Sequence, residues 1–195
     1  MNIRVLIMLL GIACGSYAKD IKGFYITPQQ DTVQAIFEVK WGLTRPNLYR
    51  LQAEVTCTDS SGVKKTLHPQ DTESFTLFMP DGKNIKFSSF TWTNEKGNPQ
   101  QFALDFGGSY LHLYAYIVLN SYDKSETQRF MLKKQGQKTI KEVWGFSTRK
   151  QLMTYFADCP DLVQQIEKRE PIAQNMVEMV GYYNTHCAPQ LQNNK

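Results

Sequence analysis

Apolar and polar residues alternate along most of the chain and give way to helical spacing near Ser147. Between Thr32 and Lys40, Val33, Ala35, Phe37 and Val39 share one face. Thr32, Gln34, Glu38 and Lys40 share the other, and only Ile36 breaks the rule. Tyr49, Leu51, Ala53, Val55 and Cys57 likewise alternate with Arg50, Gln52, Glu54, Thr56 and Thr58. A period of two places successive side chains on opposite sides of a strand, so both runs predict half-buried strands. Similar runs predict strands over residues 24–27, 63–67, 74–79, 85–92, 101–106, 110–119, 127–133 and 139–143. Turn chemistry separates them at Ser60-Ser61-Gly62, Pro80-Asp81-Gly82, Glu95 to Pro99, Gly107-Gly108 and Gln135-Gly136. Pro46-Asn47 is expected to mark a longer crossing loop.

After Ser147 the spacing predicts three helices. Thr148 and Gln151 match a capping box, and Leu152, Met153, Tyr155 and Phe156 form the first apolar face. Pro160 and Asp161 suit the first turn of a second helix with the stripe Leu162, Val163 and Ile166. A third begins at Pro171, presents Ile172, Met176, Val177, Val180 and Tyr183, and ends near Asn184. The predicted class is mainly β, an antiparallel sandwich or barrel-like sheet with a C-terminal α-helical appendage, α+β overall. The expected organisation is a signal peptide over 1–18, a β-rich body over 19–146, a helical tail packed on it over 147–188, and a disordered end over 189–195.

The N-terminus has the three parts of a secretory signal: Arg4, the apolar run from Val5 to Ala13, and small residues at Ser16 and Ala18 before Lys19. The run is shorter than the roughly 20 residues of a spanning helix. A lipoprotein signal with Cys14 as the lipidated residue is the alternative, and Gly11 fits it poorly. Periplasmic or secreted localisation follows, with no transmembrane segment after signal removal.

An oxidising destination changes the reading of the cysteines. Cys159 starts the second helix and Cys187 follows the third. An antiparallel helical hairpin would bring those ends level, so a disulfide is expected between them. Two free thiols, or a bridge to Cys57, are the alternatives. Cys57 continues the inward face of its strand and reads as a free buried thiol.

Charge adds little. Without the leader, 21 basic residues face 18 acidic ones, too small an excess to imply nucleic acid. Lys64-Lys65, Lys133-Lys134 and Arg149-Lys150 read as solvated faces.

Lys22-Gly23-Phe24-Tyr25-Ile26-Thr27 followed by Asp31-Thr32-Val33 resembles the start of a group of exported Bacteroidota proteins that open with a "KGYIIT…GDT" stretch. Pro46-Asn47, Pro69-Gln70-Asp71 and Tyr155-Phe156, Cys159-Pro160, Leu162, Ile166, Val180, Tyr182-Tyr183-Asn184 and Cys187 are similar to later landmarks of that group. Gln30 stands where those proteins have a glycine. The resemblance implies export, a β-rich body and a helical tail, and brings no activity or catalytic residue.

Candidate chemistry is sparse. His68, His112 and His186 lack metal-ligand spacing, and neither a phosphate loop nor a nucleophile elbow is present. No metal or cofactor is expected. Glu73, Asp105 and Glu142 are single acids in or beside strands, with nothing to select a catalytic pair. Tyr110, His112, Tyr114 and Tyr116 share one face of the 110–119 strand and could wall a groove for sugar, peptide or a flat ligand. The favoured reading of this strand, however, is that it is covered on both faces, by a second sheet and by the helices. The expected role is a non-catalytic binding or structural module of the cell envelope, with an envelope protein or glycan as partner. The alternatives are a hydrolase acting on envelope or extracellular polymer, and a small-ligand carrier with a hollow barrel.

Overall fold

The computed structural model describes residues 17–42, 45–91, 100–123, 125–137, 141–143 and 148–193. The leader with Cys14 and the Glu95 to Pro99 turn lie outside the described residues.

The alternating segments form one antiparallel sheet. Its strands are β1 (Ala18–Ile26), β2 (Thr32–Lys40), β3 (Val55–Asp59), β4 (Lys64–Leu67), β5 (Ser74–Phe78), β6 (Asn84–Thr91), β7 (Gln100–Asp105), β8 (Leu111–Leu119), β9 (Glu126–Lys134) and β10 (Lys141–Val143). They are ordered β10-β9-β8-β7-β6-β5-β1-β2-β3-β4. Thr32–Lys40 has the predicted bounds, with Ala35, Phe37 and Val39 inward and Ile36 exposed. β1 is longer than its apolar pattern suggests, because it pairs with β2 along its whole length, from Ala18↔Lys40 to Ile26↔Thr32. Gly23 permits this packing: a Cβ there would fall 2.0 Å from the Thr76 carbonyl oxygen. The turn from β1 to β2 places Gln30 at φ 70°, the left-handed region that glycine occupies without strain.

The structure corrects two loop expectations. Tyr49 to Gln52 is not strand. Residues Arg50–Gln52 form a 3₁₀ turn and β3 starts only at Val55. Nor is the Pro46-Asn47 loop a crossing, since β2 and β3 are neighbours. The chain crosses instead between β4 and β5, through His68 to Glu73. In a flat sheet those strands would be roughly 19 Å apart, and the six-residue link contains a turn, Asp71 N–H to the His68 carbonyl. The sheet therefore curls. Its concave face carries one core, from Ile21 and Tyr25 in β1 to Ala115 and Ile117 in β8. Phe37, Phe75, Phe87 and Phe102 fill the centre without exposure. Phe75 stacks on Phe87 with centroids 4.8 Å apart and meets Phe102 edge-on at 4.9 Å.

Curling separates β7 from β8 after two paired residues, Leu104↔Ala115 and Asp105↔Tyr114. Two side-chain amides then stand in for the missing strand. Gln52 donates from Nε2 to the Ile117 carbonyl at 2.9 Å and accepts from the Ile117 N–H. At the other end, Asn184 accepts from the Tyr110 and Leu111 N–H groups at 3.0 and 2.7 Å and donates to the Leu111 carbonyl at 2.8 Å. Buried backbone groups need partners, and these amides supply both a donor and an acceptor.

The tail comprises α1 (Thr148–Tyr155), α2 (Pro160–Lys168), α3 (Met176–Tyr182) and α4 (Ala188–Asn193), with a π turn over Tyr183–Cys187. α2 starts at its proline as expected. α3 starts later than Pro171, because the Asn175 side chain accepts from the Val177 and Glu178 N–H groups and caps it there. Its buried face consequently holds Met176, Met179 and Val180, while Val177 is 47% exposed. Helix continues over Ala188–Asn193, where a disordered end was expected from the sequence. The tail packs on Leu111, Leu113, Leu132 and Val143 in a second core that also holds Phe156, Leu162 and Tyr183. Cys159 and Cys187 lie at disulfide distance in this core, with Cα atoms 5.6 Å apart. Lys134 is not solvated as the charge pattern suggests. It is buried, and donates to the Tyr155 carbonyl at 3.0 Å and to Asp158 Oδ2 at 2.7 Å, while the Tyr183 hydroxyl donates to the same Asp158 oxygen at 2.8 Å. Among the described residues, no helix is long and apolar enough to cross a membrane.

Candidate functional site

The aromatic stripe of β8 is divided by the fold. Tyr110 precedes the strand and joins the tail, its ring 6.3 Å from that of Tyr183. His112, Tyr114 and Tyr116 lie on the other face of the sheet, across from Lys133, Met131 and Arg129 of β9, and Tyr116 is buried there in a third apolar cluster with Phe90, Ala103 and Met131, against which Tyr114 packs. His112 stacks on Tyr114 with centroids 6.2 Å apart, and Tyr114 packs on Phe90 at 5.6 Å.

Polar contacts within the sheet engage much of this face. The Tyr116 hydroxyl donates to Glu142 Oε1 at 2.6 Å, and Arg129 reaches the Tyr116 oxygen at 3.3 Å and Glu142 at 3.2 Å. Burial, reinforced by the Glu142 hydrogen bond, pushes the Tyr116 hydroxyl up to about 12. Burial, with the Asp105 charge nearby, pushes Tyr114 up to about 12 as well. Both phenols therefore stay protonated. Burial alone would raise Asp105. Lys86 at 2.9 Å, Ser88 at 2.7 Å and the Gly107 N–H at 2.8 Å outweigh it and hold the carboxyl below its ordinary range. The aliphatic side of β8 is shared by two cores. Leu111 and Leu113 sit under the tail, and Ala115 and Ile117 sit in the curled sheet. No separate second sheet is needed to cover it.

A cleft of about 380 Å³ opens elsewhere, beside the 3₁₀ turn. Glu38 and Lys40 come from β2, Tyr49, Arg50 and Glu54 from the turn and its flanks, and Gln101 from β7. The Asn47 side chain accepts from the Arg50 N–H at 3.3 Å and helps to set the turn. Both acids have cationic or ionisable neighbours: Lys64 lies 2.6 Å from Glu38, and His68 lies 3.7 Å from Glu54. Lys40 and Arg50 have no carboxylate partner among the described residues. Tyr49 is 39% exposed. The cleft thus presents an aromatic ring, two cations without a carboxylate partner among the described residues, two acids and several hydrogen-bonding groups. Its residues escape a sequence reading because alternation through Tyr49 to Thr58 predicts a strand, which would place Tyr49 inside. The Pro46-Asn47 break just before is the one local sign of irregular backbone.

Cys57 is fully buried, and burial raises its thiol despite the opposing charge of Lys65. His186 stacks on Tyr182, centroids 4.3 Å apart, remote in sequence from His68 and His112. Among the described residues, no group of three or more His, Cys, Asp or Glu could hold a metal ion. Glu73 is bonded by Gln30. Compared with protein-family models, curated proteins and solved structures, the chain matches none.

Proposed function

We propose that the chain is exported and serves as a non-catalytic binding module of the cell envelope, with the cleft beside the 3₁₀ turn as its recognition surface. The carrying observation is the pairing of charges in that cleft: Glu38 has Lys64 and Glu54 has His68 nearby, while Lys40 and Arg50 have no carboxylate partner among the described residues. Such groups are available to a ligand, and the volume falls within the range of small-ligand sites, about 300–1,000 Å³. Export is supported by the leader pattern and by a cysteine pair suited to an oxidising compartment. Cleavage after Ala18 would remove only the Ala18↔Lys40 pair from β1. The fully buried phenylalanines of the sheet interior weigh against a hollow carrier.

A hydrolase remains the second reading because two carboxylates, Glu38 and Glu54, line one cleft. Photo-crosslinking in living cells tests both. A crosslinker replacing Tyr49 is expected to capture envelope material, and one replacing the exposed Tyr122 is not. Equal capture at the two positions would remove the cleft from consideration. Turnover of envelope polymer that disappears in Glu54→Gln would transfer the role to the hydrolase.

A further inference from the structure

We infer that the cleft beside the 3₁₀ turn takes an acidic oligosaccharide, a glycan carrying carboxylated sugar units such as hexuronates; this rests on the binding-module reading above. The charge comes first. Lys40 and Arg50 are exposed on the cleft wall and lack a carboxylate partner among the described residues. Of the acids lining the same cleft, Glu38 is offset by Lys64 at 2.6 Å, and Glu54 has His68 3.7 Å away. A sugar carboxylate would give the Arg50 guanidinium a fork-to-fork contact, with Lys40 as a second cation lining the same cleft.

The rest of the lining favours sugar over peptide. Peptides are usually held by an open strand edge or by pockets for apolar side chains. Here the lining hydrophobics Leu51 and Val55 are 4% and 2% exposed and leave no such pocket. The lining offers instead the exposed Tyr49 ring and Glu54, with Gln101, Thr56 and Glu38 half-buried beside them. A pyranose has an apolar face that packs on an aromatic ring and hydroxyls that bond planar amide and carboxylate groups. Because the ionic contacts are exposed to solvent, added salt should weaken binding.

The test is calorimetric and NMR titration of the mature, oxidised protein with hexagalacturonate, with neutral cellohexaose and with a short peptide bearing a free C-terminal carboxylate. Hexagalacturonate is expected to shift amides of residues 49–56 and to bind at least about tenfold more tightly than cellohexaose. Arg50→Gln and Lys40→Gln are each expected to weaken it by about tenfold, with Arg50→Lys recovering only part of the loss. All three variants change exposed residues, and unchanged melting temperatures would show that they fold. Equal binding of cellohexaose at these amides would overturn the acidic class while leaving the binding cleft in place. Binding of the peptide alone would overturn the glycan. Shifts from none of the three, together with equal capture at positions 49 and 122 in the crosslinking experiment, would defeat both readings.

Discussion

The side-chain amide of Gln52 pairs with both backbone groups of Ile117, 65 residues further along the chain. It takes the position of a neighbouring strand where β7 and β8 diverge. The bond ties the 3₁₀ turn to the far side of the curled sheet and so shapes the cleft at its origin. Asn184 repeats the device at Leu111, where it ties the tail to the same strand.

Removing either amide should be costly, because an unpaired buried donor or acceptor loses about 1–3 kcal/mol. Gln52→Ala is expected to destabilise the protein by about 2–4 kcal/mol on that basis. Chemical denaturation measures the loss, and hydrogen exchange should show the Ile117 amide losing protection before those of β1 and β2. An Ile117 amide that stays protected would mean that water or another group replaces Gln52 without penalty.

The cysteine pair closes a segment with sequence separation 28 inside the second core. The chain-entropy account of cross-links gives about 3–4 kcal/mol for a loop of this size. Reduction is expected to release the tail first, since the first core contains no tail residue. Amides of α2 and α3 should then exchange quickly while Phe37 and Phe75 stay protected. Thiol labelling of denatured, non-reduced mature protein should find one reactive cysteine, Cys57; three labelled thiols would disprove the link.

Two tyrosines that share the Lys134 site should respond differently to loss of their hydroxyls. The Tyr183 hydroxyl bonds Asp158, and burial together with that carboxylate pushes it above the ordinary phenol range. Tyr183→Phe is expected to cost about 1–2 kcal/mol. The Tyr155 hydroxyl is buried and makes no well-formed hydrogen bond among the described residues, with only a poorly aligned approach to the Lys134 backbone, so Tyr155→Phe should cost little or nothing. Thermal melts of the two variants side by side provide the comparison.

Asp105 predicts an acid dependence. Its folded carboxyl lies below the ordinary value of 3.8, so its contribution is present above that pH and is lost as pH falls through the folded value. Asp105→Asn should therefore differ most from the native protein at neutral pH and least once the pH has fallen through the folded value. Lys86→Met, which removes the cation 2.9 Å away, should cost about 2 kcal/mol at pH 7. A constant gap between the native and Asp105→Asn proteins across the acid range would show that this carboxyl does not govern the acid limb.

Much of the secondary structure is written locally. Alternation locates β2, β5 and β8 within a residue or two, because the side-chain period of a strand is two wherever one face is buried. Pro160 marks the start of α2 because proline fits a helix only where its missing N–H is not needed. The cysteines that bracket the tail helices also meet as their spacing suggests. The same local pattern misassigns Tyr49 to Gln52, since alternation does not reveal where backbone and amide hydrogen bonds go. Gln52 finds its partner on a strand that only the curl of the sheet brings near. Val177 and Met179 exchange burial because Asn175 resets the start of α3. The cleft joins β2, the 3₁₀ turn and β7, segments distant in the chain whose proximity depends on strand order and curvature. Side-chain periodicity is a property of neighbours in sequence and can be read one segment at a time. Strand order, sheet curvature and the pairing of distant polar groups are decided by the whole core closing at once.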